Sequence, residues 1–103
     1  MEPFKMESIF DAIGELFSDE TSIAVSNTKE YIYYRPSKRI NLKIKQGDPI
    51  KEGTITHKAL AAQQRISEFI DRDIFGVPYY GMAVPLFSGG GTEGCVSAIF
   101  FPP

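Results

Sequence analysis

The sequence predicts an α+β domain in which helices flank a five-stranded antiparallel sheet, with the element order α-β-β-α-β-β-β. The chain has 103 residues, the size of one domain, so we expect residues 1–103 to form a single unit. Apolar residues near the N-terminus recur at intervals of three and four, which is typical of an amphipathic helix. Three successive segments after the second predicted helix have strand character, and such a run favours an antiparallel meander over a doubly wound parallel sheet.

The first element, predicted over residues 2–18, is a helix with one apolar face and acidic residues opposite. Pro3 suits its first turn, where a missing N–H removes no hydrogen bond. The apolar stripe must pack either on the chain's own sheet or against the same helix of a second copy, and homodimerisation is our working hypothesis. The residues that would form this dimer interface are Ile9, Phe10, Ile13, Leu16 and Phe17.

The next two elements are predicted to form a β-hairpin. Residues 21–27 alternate and are rich in β-branched side chains, as expected of a strand. Residues 30–35 form the second strand, which ends at Pro36 because proline cannot donate a backbone hydrogen bond. The intervening residues supply the turn.

A polar connector over residues 36–53 leads to the second helix, predicted over residues 54–64. The connector is expected to contain one short helical or extended piece around residues 40–44. Either Gly53 or Thr54 is suited to cap the helix, and its alanines favour helical backbone. Its apolar stripe is predicted to contain Ile55, Ala59 and Ala62.

Three final strands are predicted over residues 65–71, 79–87 and 95–101. The fourth strand is apolar on both faces, whereas a half-exposed antiparallel strand alternates apolar and polar residues. We therefore expect both faces of the sheet to be covered. The second helix would cover one face, and the N-terminal helix or a second copy would cover the other.

The segment SGGGTEG, residues 88–94, joins the last two strands and raises the question of phosphate binding. Consecutive backbone N–H groups of a glycine-rich loop are able to hold an anion. A phosphate loop, however, requires Gly-Lys-Ser/Thr or G-x-G-x-x-G at the start of a helix. This segment contains no lysine and leads into a strand, so we predict a seven-residue hairpin loop instead.

The composition excludes several classes of protein. Eleven basic and thirteen acidic residues give a net charge of -2, and no basic stripe suggests nucleic-acid binding. No apolar run approaches the ~20 residues of a membrane span, and the N-terminal segment lacks the basic-then-apolar order of a signal peptide. A lone cysteine, Cys95, excludes an internal disulfide, so we expect a cytoplasmic protein.

No constellation of residues predicts catalysis, and we expect no enzyme activity. His57 is the only histidine, and because a metal site needs three or four ligands, we predict no metal centre. A haem ligand or pH sensor is the functional alternative for this residue. Cys95 begins a predicted strand and is interpreted as a small core residue. Ser88 lacks the G-x-S-x-G context of a nucleophile elbow.

Aromatic residues with polar tips are the remaining candidates for a binding site. Such side chains line ligand pockets but serve equally as core or interface residues, and the sequence leaves both roles open. We place a candidate pocket between the sheet and the second helix, with His57 or Arg65 as its polar anchor. Its other predicted lining residues are Tyr33, Phe69, Tyr80, Met82 and Ser97. The residues do not specify which small molecule or cofactor would bind.

Two segments resemble a known group of sensor domains. The matching positions are Gly47, Asp48, Ile50 and Gly53 in the first segment, then Phe75, Gly76, Val77, Pro78 and Tyr79, followed by Pro85, Leu86 and Gly94. The element order resembles PAS-like and GAF-like sensor domains. These positions most resemble the N-terminal sensor domain of soluble methyl-accepting chemotaxis-type proteins of Gram-positive bacteria, over nearly the whole chain. The resemblance implies a PAS-like fold and a non-catalytic sensory domain that binds a small ligand or couples dimer geometry to output.

The chain departs from that family pattern at two places. The hairpin has SGGGTEG where the family has an acidic-Asn-Gly turn. The chain ends at Pro102 and Pro103, where a signalling helix would begin. We therefore expect either an excised sensor domain with a downstream signalling partner or a stand-alone homologue without output. The alternative function is a profilin-like or roadblock-like dimerisation and protein-interaction module with a filled core and no ligand.

Overall fold

The computed structural model, which describes residues 6–17 and 20–101, confirms the predicted α+β fold and its element order. Two helices accompany a five-stranded sheet in which every neighbouring pair is antiparallel. The elements are α1 (Met6–Leu16), β1 (Thr21–Ser26), β2 (Tyr31–Arg35), α2 (Ile55–Ala62), β3 (Ile66–Ile70), β4 (Tyr79–Ser88) and β5 (Gly91–Phe100). The predictions that involve Pro3, Pro102 and Pro103 lie outside the described residues.

The strand order across the sheet is β2-β1-β5-β4-β3. The chain therefore leaves the sheet at one edge, β2, and returns at the opposite edge, β3. The connector and α2 span the sheet between these edges, so they cover one of its faces. Along β5, Cys95, Ser97 and Ile99 belong to this covered face, while Val96 and Ala98 belong to the other face.

The main core lies between α2, the connector and the covered face. Ile55 and Ala59 of α2 pack on the sheet with almost no exposure, as the predicted stripe required, whereas Ala62 is exposed. The helix comes close to β4 because Gly81 has no side chain. A Cβ atom at that position would lie 3.0 Å from the Cβ of Ile55. The missing side chain of Gly81 therefore determines how closely α2 packs on the sheet.

The ends of α2 follow from local chemistry. Thr54 is the N-cap, and its hydroxyl oxygen accepts a hydrogen bond from the N–H of His57 at 3.1 Å, as is usual for threonine at this position. Gln63 takes the left-handed conformation and donates its N–H to the carbonyl of Ala59 at 2.8 Å. This C-terminal turn ends the helix two residues before the predicted limit.

The connector has no regular secondary structure over residues 40–44, yet it buries alternate side chains, those of Ile40, Leu42 and Ile44. Two hydroxyl groups of the sheet attach it. The side chain of Ser22 donates to the carbonyl of Ile40 at 2.8 Å, and the hydroxyl oxygen of Tyr34 accepts from the N–H of Leu42 at 2.9 Å. The connector is therefore part of the core, although its composition suggested only a polar link.

The end of the connector pairs with the residues that precede and begin β2. The N–H of Tyr31 donates to the carbonyl of Asp48 at 2.9 Å, and the N–H of Gly47 donates to the carbonyl of Tyr31 at 2.8 Å. Gly47 has a φ of +94°, a backbone conformation that a residue with a Cβ rarely adopts. These bonds hold the connector in place as it leaves the β2 edge.

The glycine segment forms a shorter turn than the predicted seven-residue loop. Ser88 pairs with Gly91, so only Gly89 and Gly90 lie between β4 and β5. The ladder continues through glycines of low strand propensity, with one irregularity between Leu86 and Phe87, because the neighbouring strand supplies hydrogen-bond partners. The segment does turn one strand into the next, but a loop of seven residues was wrong.

The second sheet face is covered over only part of its width. Helix α1 packs on β1 and β2. Further along the sheet, Phe69, Val84 and Leu86 are 53%, 46% and 39% exposed. Cover by the chain's own N-terminal helix therefore does not reach β3 and β4. Cover by a second copy remains a prediction.

Within the described ranges, neither helix has the length and apolar character that crossing a lipid bilayer would require.

Gly94→Ala should destabilise the fold by about 1–3 kcal/mol, the usual cost of forcing extra atoms into a packed site. A Cβ atom at Gly94 would overlap the backbone carbonyl of Ser26 on β1, and backbone cannot move aside as a flexible side chain does. Urea denaturation measures the change. Gly89→Ala is the control, because nothing lies within 4 Å of a Cβ there. Equal stability of the two variants would contradict this account of strand packing.

Candidate functional site

Hydroxyl groups are concentrated between the N-terminus of α2 and the sheet, in what we call the hydroxyl cluster: Tyr31, Thr54, Thr56, Tyr79 and Ser97. Each of these residues is at most 3% exposed. The hydroxyl groups of Thr56 and Ser97 share a hydrogen bond of 2.8 Å between helix and sheet. The hydroxyl oxygen of Tyr79 accepts from the N–H of Ile55 at 3.3 Å, one of the helix N–H groups that has no partner inside the helix.

The remaining bonds complete this cluster. Burial has the largest effect on the pKa of Tyr31 and raises it, whereas the side chains of Thr56 and Thr54 lie close to its hydroxyl and act to lower the pKa. Thr54 also donates its hydroxyl to the carbonyl of Lys51 at 2.9 Å. A buried polar group without a partner costs about 1–3 kcal/mol, so a connected set of this kind both stabilises the core and specifies its geometry. The space beneath α2 thus contains hydroxyl side chains that bond to each other or to backbone groups.

Burial determines the protonation of this region. Desolvation raises the pKa of Tyr31 and of Tyr79 above the ordinary tyrosine value, despite the hydrogen bonds that act in the opposite direction. Burial likewise raises the pKa of the Cys95 thiol, which lies 3.8 Å from the Ser97 hydroxyl oxygen. A thiolate is the reactive form of cysteine, so Cys95 is an inert core residue near neutral pH.

The seven predicted ligand-binding residues do not form one site. Ser97 and His57 lie on the α2 side. Four others lie on the opposite face of the sheet: Tyr33, Phe69, Tyr80 and Met82. Their strand partners include Val25, Ala98 and Phe100, which belong to that face. Arg65 also reaches that opposite side, where its Nη2 donates to the sulfur of Met82 at 3.4 Å. The sheet separates the two groups, because strand residues alternate between faces and the sequence does not show which parity faces α2.

His57 has a structural partner. Its Nδ1 accepts a hydrogen bond from the N–H of Gly53 at 3.3 Å, just before α2 begins. Within residues 6–17 and 20–101, no group of three or more histidine, cysteine, aspartate or glutamate side chains is arranged to hold a metal ion. The sequence signal that was missed is the spacing of Gly53, Thr54 and His57, which is that of a helix start supported by side chains.

Helix α1 is fastened to the sheet by polar contacts as well as by apolar packing. Tyr33 donates its hydroxyl to the Asp11 carboxylate at 2.6 Å, and Arg35 donates to the carbonyl of Asp11 at 2.9 Å and to the Glu15 carboxylate at 2.8 Å. Desolvation, followed by the hydrogen bond to Asp11, raises the pKa of Tyr33 to about 12. The bonds from β2 thus fix where α1 lies across the sheet.

The predicted dimer stripe is divided by this docking. Phe10 is buried and packs on the ring of Tyr33 with a centroid separation of 5.1 Å. Ile13 is half-buried, whereas Ile9, Leu16 and Phe17 are 41%, 83% and 43% exposed. Part of the stripe therefore folds back on the chain's own sheet and part remains open. The buried residues pack on the chain's own sheet, which was the first alternative. The exposed residues are available for a contact with a second copy, which was the second alternative and stays a prediction.

The exposed part of α1 shares its side of the sheet with a second apolar surface. This surface, which we call the open sheet face, consists of Phe69, Tyr80, Met82, Val84 and Leu86. Tyr80 stacks on Phe100 with ring centroids 5.5 Å apart, so this part of the face is ordered. Contiguous exposed apolar surface of this kind marks interaction sites more often than ordinary protein surface does.

The protein should lose stability at alkaline pH, because the fold holds Tyr31, Tyr33 and Tyr79 protonated beyond the ordinary pKa of 10.0. A folded-state pKa above the unfolded one gives stabilisation that is complete below pH ~10 and is lost as the pH rises further. Tyrosinate absorbance and circular dichroism should therefore include a shared transition above that pH. Tyr79→Phe should lose about 1 kcal/mol, the typical value of one hydrogen bond.

Tyr80→Phe is the control for this titration, since it removes a half-buried hydroxyl on the opposite face. If every tyrosine ionises while the circular dichroism remains that of the folded protein, the hydroxyl cluster is accessible to solvent and the prediction is wrong.

The chain matches no protein-family model. It is similar to a protein of Bacillus subtilis named "Putative sensory transducer protein YfmS", with 29% identity over 79 residues. The aligned segment covers 77% of this chain and 28% of that protein, so the chain spans about a quarter of the length of the curated relative it matches. The similarity therefore concerns one part of a longer protein.

Proposed function

We propose that the chain is a non-catalytic sensory domain of a bacterial signal-transduction protein of the chemotaxis type. The observation that carries the proposal is the similarity, over 77% of the chain, to a Bacillus subtilis protein whose name describes a sensory transducer. Because the matched segment is about a quarter of that protein, the chain would supply the input and other parts of such a protein would supply the output. The lone buried cysteine suits a reducing compartment, so the proposal places the domain in the cytoplasm.

The chemistry of the core supports a role in sensing rather than in catalysis. An enzyme needs an activated nucleophile or an acid–base pair that reaches its substrate. Among the described residues, the buried thiol of Cys95 has a raised pKa, and the hydroxyls of Thr56 and Ser97 are bonded to each other. These groups hold the fold together, which agrees with a domain that transmits a change of shape.

A surface for transmission is present on the side of the sheet away from α2. In the proposed dimer, the exposed residues of α1, Ile9, Leu16 and Phe17, pack on the open sheet face of a second copy. A two-fold arrangement would bury both surfaces in both copies. A ligand that changed the position of α1 relative to the sheet would then change the dimer geometry, and this change would reach the output.

The second candidate function is a dimerisation or protein-interaction module that binds no small molecule. One observation favours it: hydrogen bonds of the hydroxyl cluster join α2 to the sheet, so side chains of the fold itself occupy this contact. The open sheet face would then be the functional surface. Sensing and pure interaction differ in whether a small molecule changes the behaviour of the chain.

A domain exchange tests the sensory proposal. The chain would replace the matched segment of the Bacillus subtilis protein, and an unrelated folded domain of similar size would replace it in a control. We expect the first chimera to retain a signalling output that the control lacks, measured as histidine-kinase autophosphorylation in a reconstituted receptor array. Identical output from the two chimeras would contradict a sensory role.

Dimerisation should depend on both apolar surfaces. Val84→Asp on the open sheet face and Leu16→Asp on α1 should each weaken self-association about tenfold or more, because each puts a charge into an apolar contact. Sedimentation equilibrium over a wide concentration range measures this effect. Ala61→Asp is the matched control, since Ala61 is exposed but lies on α2, on the other side of the sheet from both surfaces. A monomer at every concentration of the unmodified chain would exclude the dimer.

A further inference from the structure

A cavity of about 300 Å³ opens beside the connector, where it borders one member of the hydroxyl cluster, Tyr31, and no residue of the open sheet face. We call it the connector cavity. Its apolar wall is formed by Tyr31, Leu42, Ile44 and Phe75. The first three of these are at most 8% exposed and belong to the main core, so this wall is well packed. The volume is at the lower end of the range for small-molecule pockets, which suits a small organic ligand.

Two ammonium groups border this apolar wall. Lys43 and Lys51 both line the cavity, and the Nζ of Lys51 lies 5.2 Å from the centroid of the Phe75 ring. Within the described residues, neither lysine forms an ion pair with a carboxylate. The ring of Phe75 attracts the cation of Lys51 and so places its charge over the apolar wall. The two lysines are therefore available to an anionic ligand.

One carboxylate, that of Asp48, also lines the cavity, and its position is explained by the turn that contains it. Its Oδ2 accepts the N–H of Lys45 at 2.9 Å, and the N–H of Asp48 donates to the carbonyl of Lys45 at 2.9 Å. The charged residues of the lining thus sum to one net positive charge. A monoanion would neutralise this charge, whereas a phosphate dianion would leave the occupied site with a net negative charge.

Lys43 is held at the cavity by unusual backbone. Its φ is +59°, in the left-handed region that residues other than glycine rarely adopt. Its N–H donates to the side-chain oxygen of Asn41 at 2.8 Å, which supports the turn. A lysine in strained backbone beside a cavity is the kind of local cost that proteins keep at binding sites.

We propose that the connector cavity binds a small organic monoanion, with its carboxylate between Lys43 and Lys51 and its apolar body against Phe75, Leu42 and Ile44. The inference rests on the proposed sensory function for its biological meaning, because it names the chemical class of the signal. The connector would link this site to the rest of the domain, because it lies between the cavity and the surroundings of α1. Ile44 also lines a second cavity, of about 290 Å³, which includes Tyr34 and reaches Glu7 and Asp11 of α1. If the connector moves when the ligand binds, this movement therefore occurs next to α1, the helix proposed to carry the signal.

Phenylacetate and its neutral amide, phenylacetamide, test the site, because they have the same apolar body and differ in charge. Binding to the full chain is followed by NMR chemical-shift titration. We expect phenylacetate to move the signals of Leu42, Ile44 and Phe75 at millimolar concentrations or below. The amide should bind about tenfold more weakly, as expected when a charge-assisted contact becomes a neutral one. Equal binding of the two compounds, no binding, or shifts confined to other surfaces would overturn the proposal.

Lysine variants give the matched control. Lys43→Met and Lys51→Met keep the length of the apolar side chain and remove the charge, so each should weaken phenylacetate binding about tenfold. Lys45→Met changes an exposed lysine of the same connector outside the cavity lining and should leave binding unchanged. An equal effect of all three variants would show that only the general charge of the surface matters and would contradict a defined site.

The two proposals fail in distinguishable ways. If the domain exchange signals but the isolated chain binds no organic anion, the sensory function stands and the connector cavity is excluded as its anion site. If phenylacetate binds at the cavity but the chimera gives the same output as the unrelated domain, the anion site stands and the sensory function is excluded.

Discussion

The arrangement of this protein depends on one topological constraint: the chain leaves its sheet at the β2 edge and returns at the β3 edge. The segment between those strands must cross the full width of the sheet, and it does so on a single face. That face therefore receives the connector, α2 and the main core. The opposite face is left to α1, which is short and reaches only β1 and β2. The two surfaces with proposed functions, the connector cavity and the open sheet face, both follow from this division.

Close contact on the covered face requires small side chains and satisfied hydroxyl groups. Gly81 lets Ile55 approach the sheet, and the hydrogen bond between Thr56 and Ser97 joins helix to sheet where an apolar pair would have been simpler. Such polar pairs in a core stabilise only when every member is bonded, and they then favour one arrangement of helix on sheet over others. The cost of disturbing the cluster is one reason why the proposed ligand site lies in the connector rather than beneath α2.

The connector is the element best placed to couple binding to a change of shape. Hydrogen bonds from Ser22 and Tyr34 attach it to the sheet, while its own backbone lacks the regular hydrogen bonds of a helix or strand. Segments with few internal bonds open at lower free energy than helices and strands in the core. A connector that moves against a fixed sheet would change the cavity on one side and the surroundings of α1 on the other. This combination of a fixed core and an adjustable edge agrees with the proposed sensory role.

The sequence by itself determined the α+β class and the order of the seven elements, and it limited the cap of α2 to Gly53 or Thr54, because these depend on local spacing and on single side chains. The apolar stripe of Ile55 and Ala59 is a further example, since helical periodicity alone places both on one face. The expectation that the chain has no enzyme activity also came from the sequence, and it stays a prediction.

Only the tertiary structure decided which face of each strand meets α2, and this choice separated Ser97 from Tyr33 and Tyr80. Alternation along a strand shows which residues share a face but not which partner covers it. The short turn at Gly89 and Gly90 was likewise decided by the neighbouring strand, whose backbone continued the ladder through residues of low strand propensity. The connector cavity combines Tyr31, Lys43 and Phe75 from distant parts of the chain. Such a site arises from the path of the chain across the sheet, and no local pattern in the sequence encodes that path.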